Sequence, residues 1–290
     1  MEYLALRFGC AFLSGLVLSQ VGSLLQLGTK NILSSPSTLG FDGLAVFWII
    51  LSHSILLWAG LDLSTTWTLL AGVPLFLYLG LVFAKNIKQS GNFERIILLG
   101  LTFNVVVGAI FSFWQFVFIA FNLPFPLEIW FGHFRSVSWS QFVSIGCVAV
   151  LLLMGLLQKW KDLLAYSLGP DISRNLKINL PKLFAFIFMA VALGSYVVIS
   201  SFGVFAFLGL IFPIVARKLW FKRFDLKGEI FLGATLNGLL FASMDFICYY
   251  FPIYGAEVPV GLVATAIGAV SLILVLWKTR DAVLLANLSK

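Results

Sequence analysis

The sequence predicts an all-α membrane protein whose chain crosses the bilayer about nine times. Hydrophobic residues make up 61% of the 290 and charged residues only 11%, with a mean hydropathy of +1.03. Because a soluble domain carries about 25% charged residues, lipid has to be the solvent for much of this surface. The apolar residues are also grouped into segments of about 20, which is the length of a helix that spans the hydrocarbon core.

These segments are too long for strands, and a helix satisfies its own backbone groups in hydrocarbon without having to close a barrel. Only Ser200, Ser201 and Gly203 interrupt the apolar run between the sixth and the seventh. We predict spans at 8–28, 39–60, 66–84, 96–121, 140–158, 182–202, 204–221, 229–251 and 259–277. Together they form one transmembrane domain over residues 1–290.

Two connections are long enough to carry structure of their own. Residues 122–139 contain prolines that end the fourth span, and their Trp and Phe residues suit a helix lying flat at the membrane interface. Residues 158–182 are polar, with apolar residues at helical spacing. We predict one or two short amphipathic helices there, with Gly169–Pro170 as the turn between them.

The basic residues orient the spans. Of the 19 lysines and arginines, only Arg7 and Arg135 lie on one side, and all the others lie on the side of 158–182. Cytoplasmic loops carry the excess of Lys and Arg, so the second side is predicted to be cytoplasmic, with the C-terminus inside and the N-terminus outside. The net charge of +7 contains no run of five like charges, so the lipid bilayer explains it better than nucleic acid does.

The chain offers few residues for catalysis or metal binding. Its two histidines lie near the outer ends of spans, and its three cysteines lie inside apolar runs without a ligand spacing. No catalytic residues, metal ligands or cofactor are predicted. An ion-coupled carrier usually keeps several ionisable groups at mid-membrane, whereas only Asp245 and Asp42 lie within spans here. An ion-coupled secondary transporter and an intramembrane enzyme are therefore disfavoured alternatives.

Polar and small residues within the spans suggest helix packing. Asp245 either bonds to a neighbouring helix near the outer end of the eighth span or lines a transport route. The side chains of Asn104, Gln115 and Asn237 are interpreted as hydrogen bonds between helices. Small residues recur at three- to four-residue spacing in two spans: Gly15, Ser19 and Gly22, and Gly261, Thr265 and Gly268.

Longer stretches match the motifs of one family. Residues 15–43 read GLVLSQVGSLLQLGTKNILSSPSTLGFDG, residues 205–217 read FAFLGLIFPIVAR, and residues 257–269 read EVPVGLVATAIGA. In order along the chain, they resemble motifs of the iron-chelate and cobalamin ABC-importer permeases, the FecCD type. Residues 95–104, 129–139 and 168–178 are similar to three further motifs of these permeases. We expect structural or pathway roles at Gly22, Gln26, Asn31, Pro36, Gly40, Asn104, Gly209, Pro213, Asp245, Pro259 and Gly261.

The chain also departs from the family pattern. Family members have ten spans, and the resemblance starts at their second, so we expect that one N-terminal span is missing here. Leu4 replaces the first arginine of an outer signature whose second arginine is Arg7. Ile32 and Ile214 stand where the family has a proline and a histidine.

The resemblance implies the permease subunit of an ATP-driven importer in the cytoplasmic (inner) membrane of a bacterium. Its partners would be a second permease subunit, two cytoplasmic ATPase subunits and a substrate-binding protein, periplasmic or lipid-anchored. The residues 40–43 favour an unlike permease pair over a homodimer. The expected cargo is an iron chelate, a ferric siderophore, with haem or cobalamin as alternatives. The permease itself would hydrolyse nothing.

The same resemblance implies three sites. Arg7 and Glu257, at outer helix ends, would dock the binding protein. Ser90, Gly91 and Asn92 would form the cytoplasmic gate where the third and fourth spans meet. The contact with the ATPase would be made by Leu168, Gly169, Pro170, Asp171, Ser173 and Arg174.

Overall fold

The computed structural model describes residues 2–59, 65–90, 93–121, 127–219 and 226–288. These residues form a helical bundle, and the part of the chain described contains no strand beyond one isolated bridge. The helices are α1 (Glu2–Thr29), α2 (Phe41–Ala59), α3 (Thr65–Ser90), α4 (Phe93–Ala120), α5 (Trp139–Gln158), α6 (Trp160–Leu168), α7 (Pro170–Asn175), α8 (Leu180–Phe202), α9 (Leu208–Leu219), α10 (Ala234–Tyr250) and α11 (Val260–Leu288).

Eight of the nine predicted spans overlap one of the longer helices, and the seventh, 204–221, overlaps the shorter α9. Within the described residues, six stretches are long and apolar enough to cross a bilayer, and they belong to α1, α3, α4, α5, α8 and α10. The sixth of these begins as a π-helical segment, Gly228–Gly233, that leads directly into α10. Helices α2 and α11 contain shorter apolar stretches, Phe41–Leu56 and Val260–Ile273.

Helix α1 runs through the middle of the bundle and packs against α5, α8, α9 and α10. Such a position requires small residues wherever a neighbour approaches closely. A Cβ atom at Gly15 would lie 2.9 Å from Cβ of Phe241 on α10, and one at Gly28 would lie 3.1 Å from Cγ2 of Ile187 on α8. The small-residue spacing in the sequence therefore reports helix packing, as predicted.

The seventh predicted span, 204–221, differs most from the structure. Within the described residues, helix α9 covers Leu208–Leu219 and so begins four residues after the start of the predicted span. The chain before it is not helical because Gly203 and Phe207 adopt φ values of +87° and +65°. Val204 instead donates to the Ile129 carbonyl at 2.8 Å and accepts from Gly132 at 3.2 Å. Buried protein surroundings allow such irregular backbone at membrane depth.

Backbone hydrogen bonds of this kind also explain the described part of the connection 122–139. Of the interfacial helix predicted within 122–139, the described residues contain one 3₁₀ turn, Leu127–Trp130. Beyond it, the His133 amide donates to the Phe202 carbonyl at 2.9 Å, and the Gly132 carbonyl accepts from Gly261 at 2.7 Å. Because these backbone groups bond to other segments, they do not bond to one another in a helix.

The sequence predicts one or two short helices within 158–182, and the structure has two, α6 and α7. The turn between them is at Gly169, whose φ of +133° is accessible mainly to glycine. Ser173 is buried, and its hydroxyl donates to the carbonyl oxygens of Gly169 at 2.8 Å and Ala165 at 3.2 Å. One hydroxyl therefore fixes α7 against the end of α6.

Candidate functional site

A buried charged cluster lies at one end of the bundle, where α1, α10 and the segment before α11 meet. Arg7 donates through Nε to Oδ2 of Asp245 at 2.6 Å and through Nη2 to Oδ1 at 2.8 Å. Its Nη1 forms an ion pair with Glu257, and its guanidinium lies 4.8 Å from the ring centroid of Tyr249. Arg7 and Asp245 are only 4% and 3% exposed. Two carboxylates therefore compensate one buried cation, as a charge in a low-dielectric interior requires.

Arg135 forms the exposed edge of this cluster. Its Nε lies 3.5 Å from Oε2 of Glu257, and its side chain is 51% exposed, whereas that of Glu257 is 20% exposed. The backbone of Arg135 is held in place because its carbonyl accepts from the Tyr3 hydroxyl at 2.6 Å. We call Arg7, Arg135, Asp245 and Glu257 the outer cluster, after the side of the membrane that the sequence predicts for them. This cluster buries one guanidinium and exposes the other.

A second polar network lies toward the other end of α1. Gln26 is buried and donates through Nε2 to the Leu210 carbonyl of α9 at 3.0 Å, while its Oε1 accepts from Arg217. The Arg217 Nε also donates to the Pro213 carbonyl at 3.2 Å and lies 3.4 Å from Oε1 of Glu229. This inner network, Gln26, Arg217 and Glu229, joins α1 and α9 to the π-helical segment before α10.

Helices α1 and α9 also meet without intervening side chains. A Cβ at Gly22 would overlap the Gly209 carbonyl oxygen. Pro213 has no N–H to bond that carbonyl four residues back, so the oxygen is free to face α1. Gly22 and Gln26, one turn apart on α1, therefore face two successive carbonyl groups, those of Gly209 and Leu210.

The loop after α1 holds the next motif positions together. The Asn31 side chain accepts from the Leu33 amide at 2.9 Å, which forms a tight turn, and Pro36 lies against Gly209. The chain then passes beside α4. Asn104 donates to the Ser37 carbonyl at 2.5 Å, and Gly40, with a φ of +82°, lies against the backbone of Gly100.

The motif segments that are distant in sequence therefore pack against one another. Residues 15–43 contact 205–217 through Gly22 and 95–104 through Gly40, and 129–139 contacts 257–269 where Gly261 bonds to Gly132. Pro259 lies in the same outer segment, beside a small cleft shared with Arg7 and Arg135. Asp245 bonds to a neighbouring helix, which is one of its two predicted roles.

The three predicted sites are described to different extents. Arg7 and Glu257 are brought together, but Arg7 has its partners within the chain. In the predicted ATPase contact, Leu168 is 59% exposed, whereas only the backbone is described for Pro170, Asp171 and Arg174. Ser90 is the last residue of α3, and Gly91 and Asn92 lie outside the described residues.

Sequence reasoning missed several residues that the fold makes central. Glu229 lies in a stretch without a motif signal, and Tyr166 is one of two aromatic residues on an amphipathic helix. Tyr166 is buried, which raises the pKa of its hydroxyl and keeps it a hydrogen-bond donor. The available signal was the apolar spacing of α6, which places Leu163 and Tyr166 three residues apart on one face.

A bundle of long apolar helices of this kind, with polar clusters toward its two ends and irregular backbone buried between them, is that of a polytopic membrane protein. A model of the FecCD transport family matches residues 1–278. The chain belongs to this family and is an ABC importer permease of the FecCD type.

Relatives with assigned transport roles cover nearly the whole chain. The vitamin B12 import system permease protein BtuC of Vibrio cholerae is 28% identical over 280 residues, which are 95% of this chain and 82% of the relative. The iron(3+)-hydroxamate import system permease protein FhuG of Bacillus subtilis is 27% identical, covering 96% and 83%. The petrobactin import system permease protein FatD of Bacillus anthracis is 24% identical, covering 92% and 78%.

The fold is also found in a solved structure. An inward-facing conformation of a metal-chelate type ABC transporter superimposes with a TM-score of 0.74 at 21% identity, covering 94% of this chain and 85% of the other. At that identity the likeness concerns the fold.

Proposed function

We propose that this chain is the permease through which an ABC importer moves an iron chelate, a ferric siderophore, across the cytoplasmic membrane. The observation that supports it is the mutual packing of the family's motif segments, with Gly22 against Gly209 and Gly40 against Gly100. Two of the relatives above import iron chelates, one a hydroxamate and the other petrobactin. Cobalamin is the alternative favoured by BtuC, and haem is a further one.

The assembly we propose contains two permease subunits, two ATPases and one external binding protein. The exposed apolar residues of α6 and α7 would contact the ATPase, since a surface of Leu168, Ile172 and Leu176 is otherwise left to water. Glu257 and the exposed Arg135 would contact the binding protein, and the buried Arg7 would hold Glu257 in position through their ion pair. A heterodimer is favoured by the resemblance at 40–43.

Uptake into proteoliposomes tests this function. The permease would be reconstituted with its ATPase, its second permease subunit and its binding protein, with ATP inside, and offered a radiolabelled ferric hydroxamate, haem or cobalamin. We expect ATP-dependent uptake of the ferric hydroxamate and none with an ATPase unable to hydrolyse ATP. Uptake of cobalamin alone would replace the cargo. Uptake without ATP that a proton ionophore abolishes would point to a secondary transporter.

The proposed orientation places α6 and α7 in the cytoplasm and residue 3 outside. A cysteine introduced at Tyr3, in a chain without Cys10, should react with an impermeant thiol reagent in intact cells. A cysteine at position 289 should not react until the cells are opened. Labelling at 289 in intact cells would invert the orientation and put the proposed ATPase contact on the wrong side.

A further inference from the structure

Helix α6 is packed on one face and open on the other. Leu163 and Tyr166 are buried against the membrane helices, whereas Leu164 and Leu168 are exposed. The helix also packs against the π-helical segment before α10, where the ring centroids of Trp160 and Phe231 lie 5.8 Å apart. Any partner that binds the open face therefore pushes on residues that touch the membrane bundle.

Tyr166 is the contact between this helix and the end of α1. Its hydroxyl donates to the Gly28 carbonyl at 3.2 Å, and the Lys30 ammonium lies 4.8 Å from its ring centroid. Its ring meets Phe184 of α8 edge-on, with 5.6 Å between the centroids. Gly28 lies in the last turn of α1, where carbonyl groups have no partner further along the helix. Tyr166 supplies the missing donor.

Helix α1 cannot absorb a displacement of Tyr166 by extending beyond Lys30. Lys30 has a φ of +51°, the left-handed conformation that stops a helix, and the chain turns away after it. A displacement of Tyr166 therefore moves α1 itself. Two residues before Gly28, Gln26 bonds to both the Leu210 carbonyl and Arg217 of α9.

Helix α9 is able to respond because its backbone is already irregular. Pro213 removes one hydrogen bond within it, and Phe207 precedes it with a positive φ. Arg217 then continues to Glu229 in the π-helical segment, another irregular backbone element. The contacts thus run from α6 through the end of α1 to α9 and the π-helical segment, two elements with irregular backbone hydrogen bonding.

We propose that Tyr166 is the positioning residue through which α6 moves α1, and that Gln26 passes this movement to α9. The inference rests on the proposed function, since it takes an ATPase bound at α6 and α7 as the source of movement. It assigns a coupling role to the hydroxyl of Tyr166, which lies in no motif, and to the side-chain amide of Gln26, which lies in the motif 15–43.

Amide hydrogen exchange in the assembled complex tests it without knowledge of the cargo. Exchange would be measured on peptides covering 18–29 and 208–219, with and without ATP and vanadate. In the wild type, vanadate trapping should change exchange in both peptides. In Tyr166→Phe both changes should shrink, by roughly 2- to 30-fold in the underlying equilibrium. In Gln26→Ala the change in 18–29 should persist, and that in 208–219 should shrink.

Tyr196→Phe is the matched control. The Tyr196 hydroxyl is also buried and donates to a backbone carbonyl, that of Leu69 at 3.0 Å, but it joins α8 to α3. This variant should keep the wild-type response. An equal loss in Tyr196→Phe, or an unchanged response of 208–219 in Tyr166→Phe, would overturn the proposal.

The ATPase itself separates the two levels of inference. In Tyr166→Phe the ATPase should still copurify and hydrolyse ATP, because the exposed face of α6 is unchanged. The double variant Tyr166→Phe/Gln26→Ala should lower the response of 208–219 no further than the stronger single variant, because both lie on one route. Additive losses would contradict a single route. An ATPase that fails to bind the wild-type permease would instead refute the proposed function.

Discussion

The outer cluster and the inner network both place an arginine beside a carboxylate, but they hold that arginine in different ways. Arg7 is bound by both oxygens of Asp245 and also by Glu257, and it is almost fully buried. Arg217 is 27% exposed and shares its donors among an amide, a backbone carbonyl and one carboxylate at 3.4 Å. The carboxylates hold the Arg7 guanidinium in one position. Arg217 has three kinds of acceptor, among which its hydrogen bonds can be redistributed.

The backbones around the two clusters differ in the same sense. Arg7 and Asp245 project from regular parts of α1 and α10. Arg217 and Glu229 lie on a helix with an internal proline and on a π-helical segment. We infer that the outer end of α1 is a fixed point and that its inner end is the part that moves. Each of the following variants tests this difference between the two ends of α1.

The largest effect should come from the helix that would drive the inner end. Reversing both charges, Asp171→Lys with Arg174→Glu, should abolish ATP-stimulated uptake while the permease still folds into the membrane. The expected cause is loss of the ATPase contact, which uptake and copurification would measure together. Normal uptake by the double variant would remove these residues from the contact.

Removing a carboxylate should separate the two clusters by stability. Asp245→Ala leaves Arg7 buried with one carboxylate, and we expect a loss of about 3–5 kcal/mol in the free energy of unfolding. Glu229→Ala should lose less, about 1–3 kcal/mol, because Arg217 keeps two other acceptors and some water. Thermal unfolding in detergent would measure both.

The double variant Arg7→Met/Asp245→Leu controls this comparison. It removes the buried cation together with its main partner, so it should recover much of the stability that Asp245→Ala loses. If Glu229→Ala proved the more damaging of the two single variants, the inner network would be the rigid one and the contrast would be reversed.

Crowding the contact between α1 and α9 should have a smaller effect. Gly22→Ala places a methyl group onto the Gly209 carbonyl, and we expect about 1–3 kcal/mol of destabilisation from overpacking. Gly146→Ala on α5 is the matched control, because its Cβ would meet only Leu13 at 3.9 Å. That variant should be neutral or slightly stabilising, since alanine favours a helix. Equal melting temperatures for the two variants would argue against a close contact.

The smallest effect is expected at the exposed edge of the outer cluster. Arg135→Glu should weaken docking of the binding protein by roughly 0–1 kcal/mol, mainly at low salt, because exposed ion pairs contribute little and are screened. Arg7→Lys should affect stability more than docking because Arg7 is buried. Binding affinity measured at two salt concentrations distinguishes these roles. A loss of docking in Arg7→Lys at unchanged stability would return the docking role to Arg7.

Much of this fold was predictable because lipid imposes strict rules. The nine segments and the short helices within 158–182 follow from hydropathy and periodicity. Each corresponds to helix in the described residues, although residues 204–207 of the seventh segment are not helical. Gly22 and Gly261 were also identifiable, since small residues at helical spacing indicate close packing. The non-helical segment 203–207 was indicated only by the interruption at Ser200, Ser201 and Gly203. Its conformation depends on backbone hydrogen bonds to residues 129–132, which no local pattern shows.

The sequence by itself determined that this chain belongs in a bilayer, which of its segments are helical, and, through its motifs, the family to which it belongs. These are local properties, carried by composition and spacing. Only the tertiary structure decided that Arg7 is bound between Asp245 and Glu257, that Gln26 reaches α9, and that Tyr166 reaches the end of α1. Hydrogen bonds and ion pairs form within about 3 Å, whatever the separation along the chain, so no local pattern can specify them.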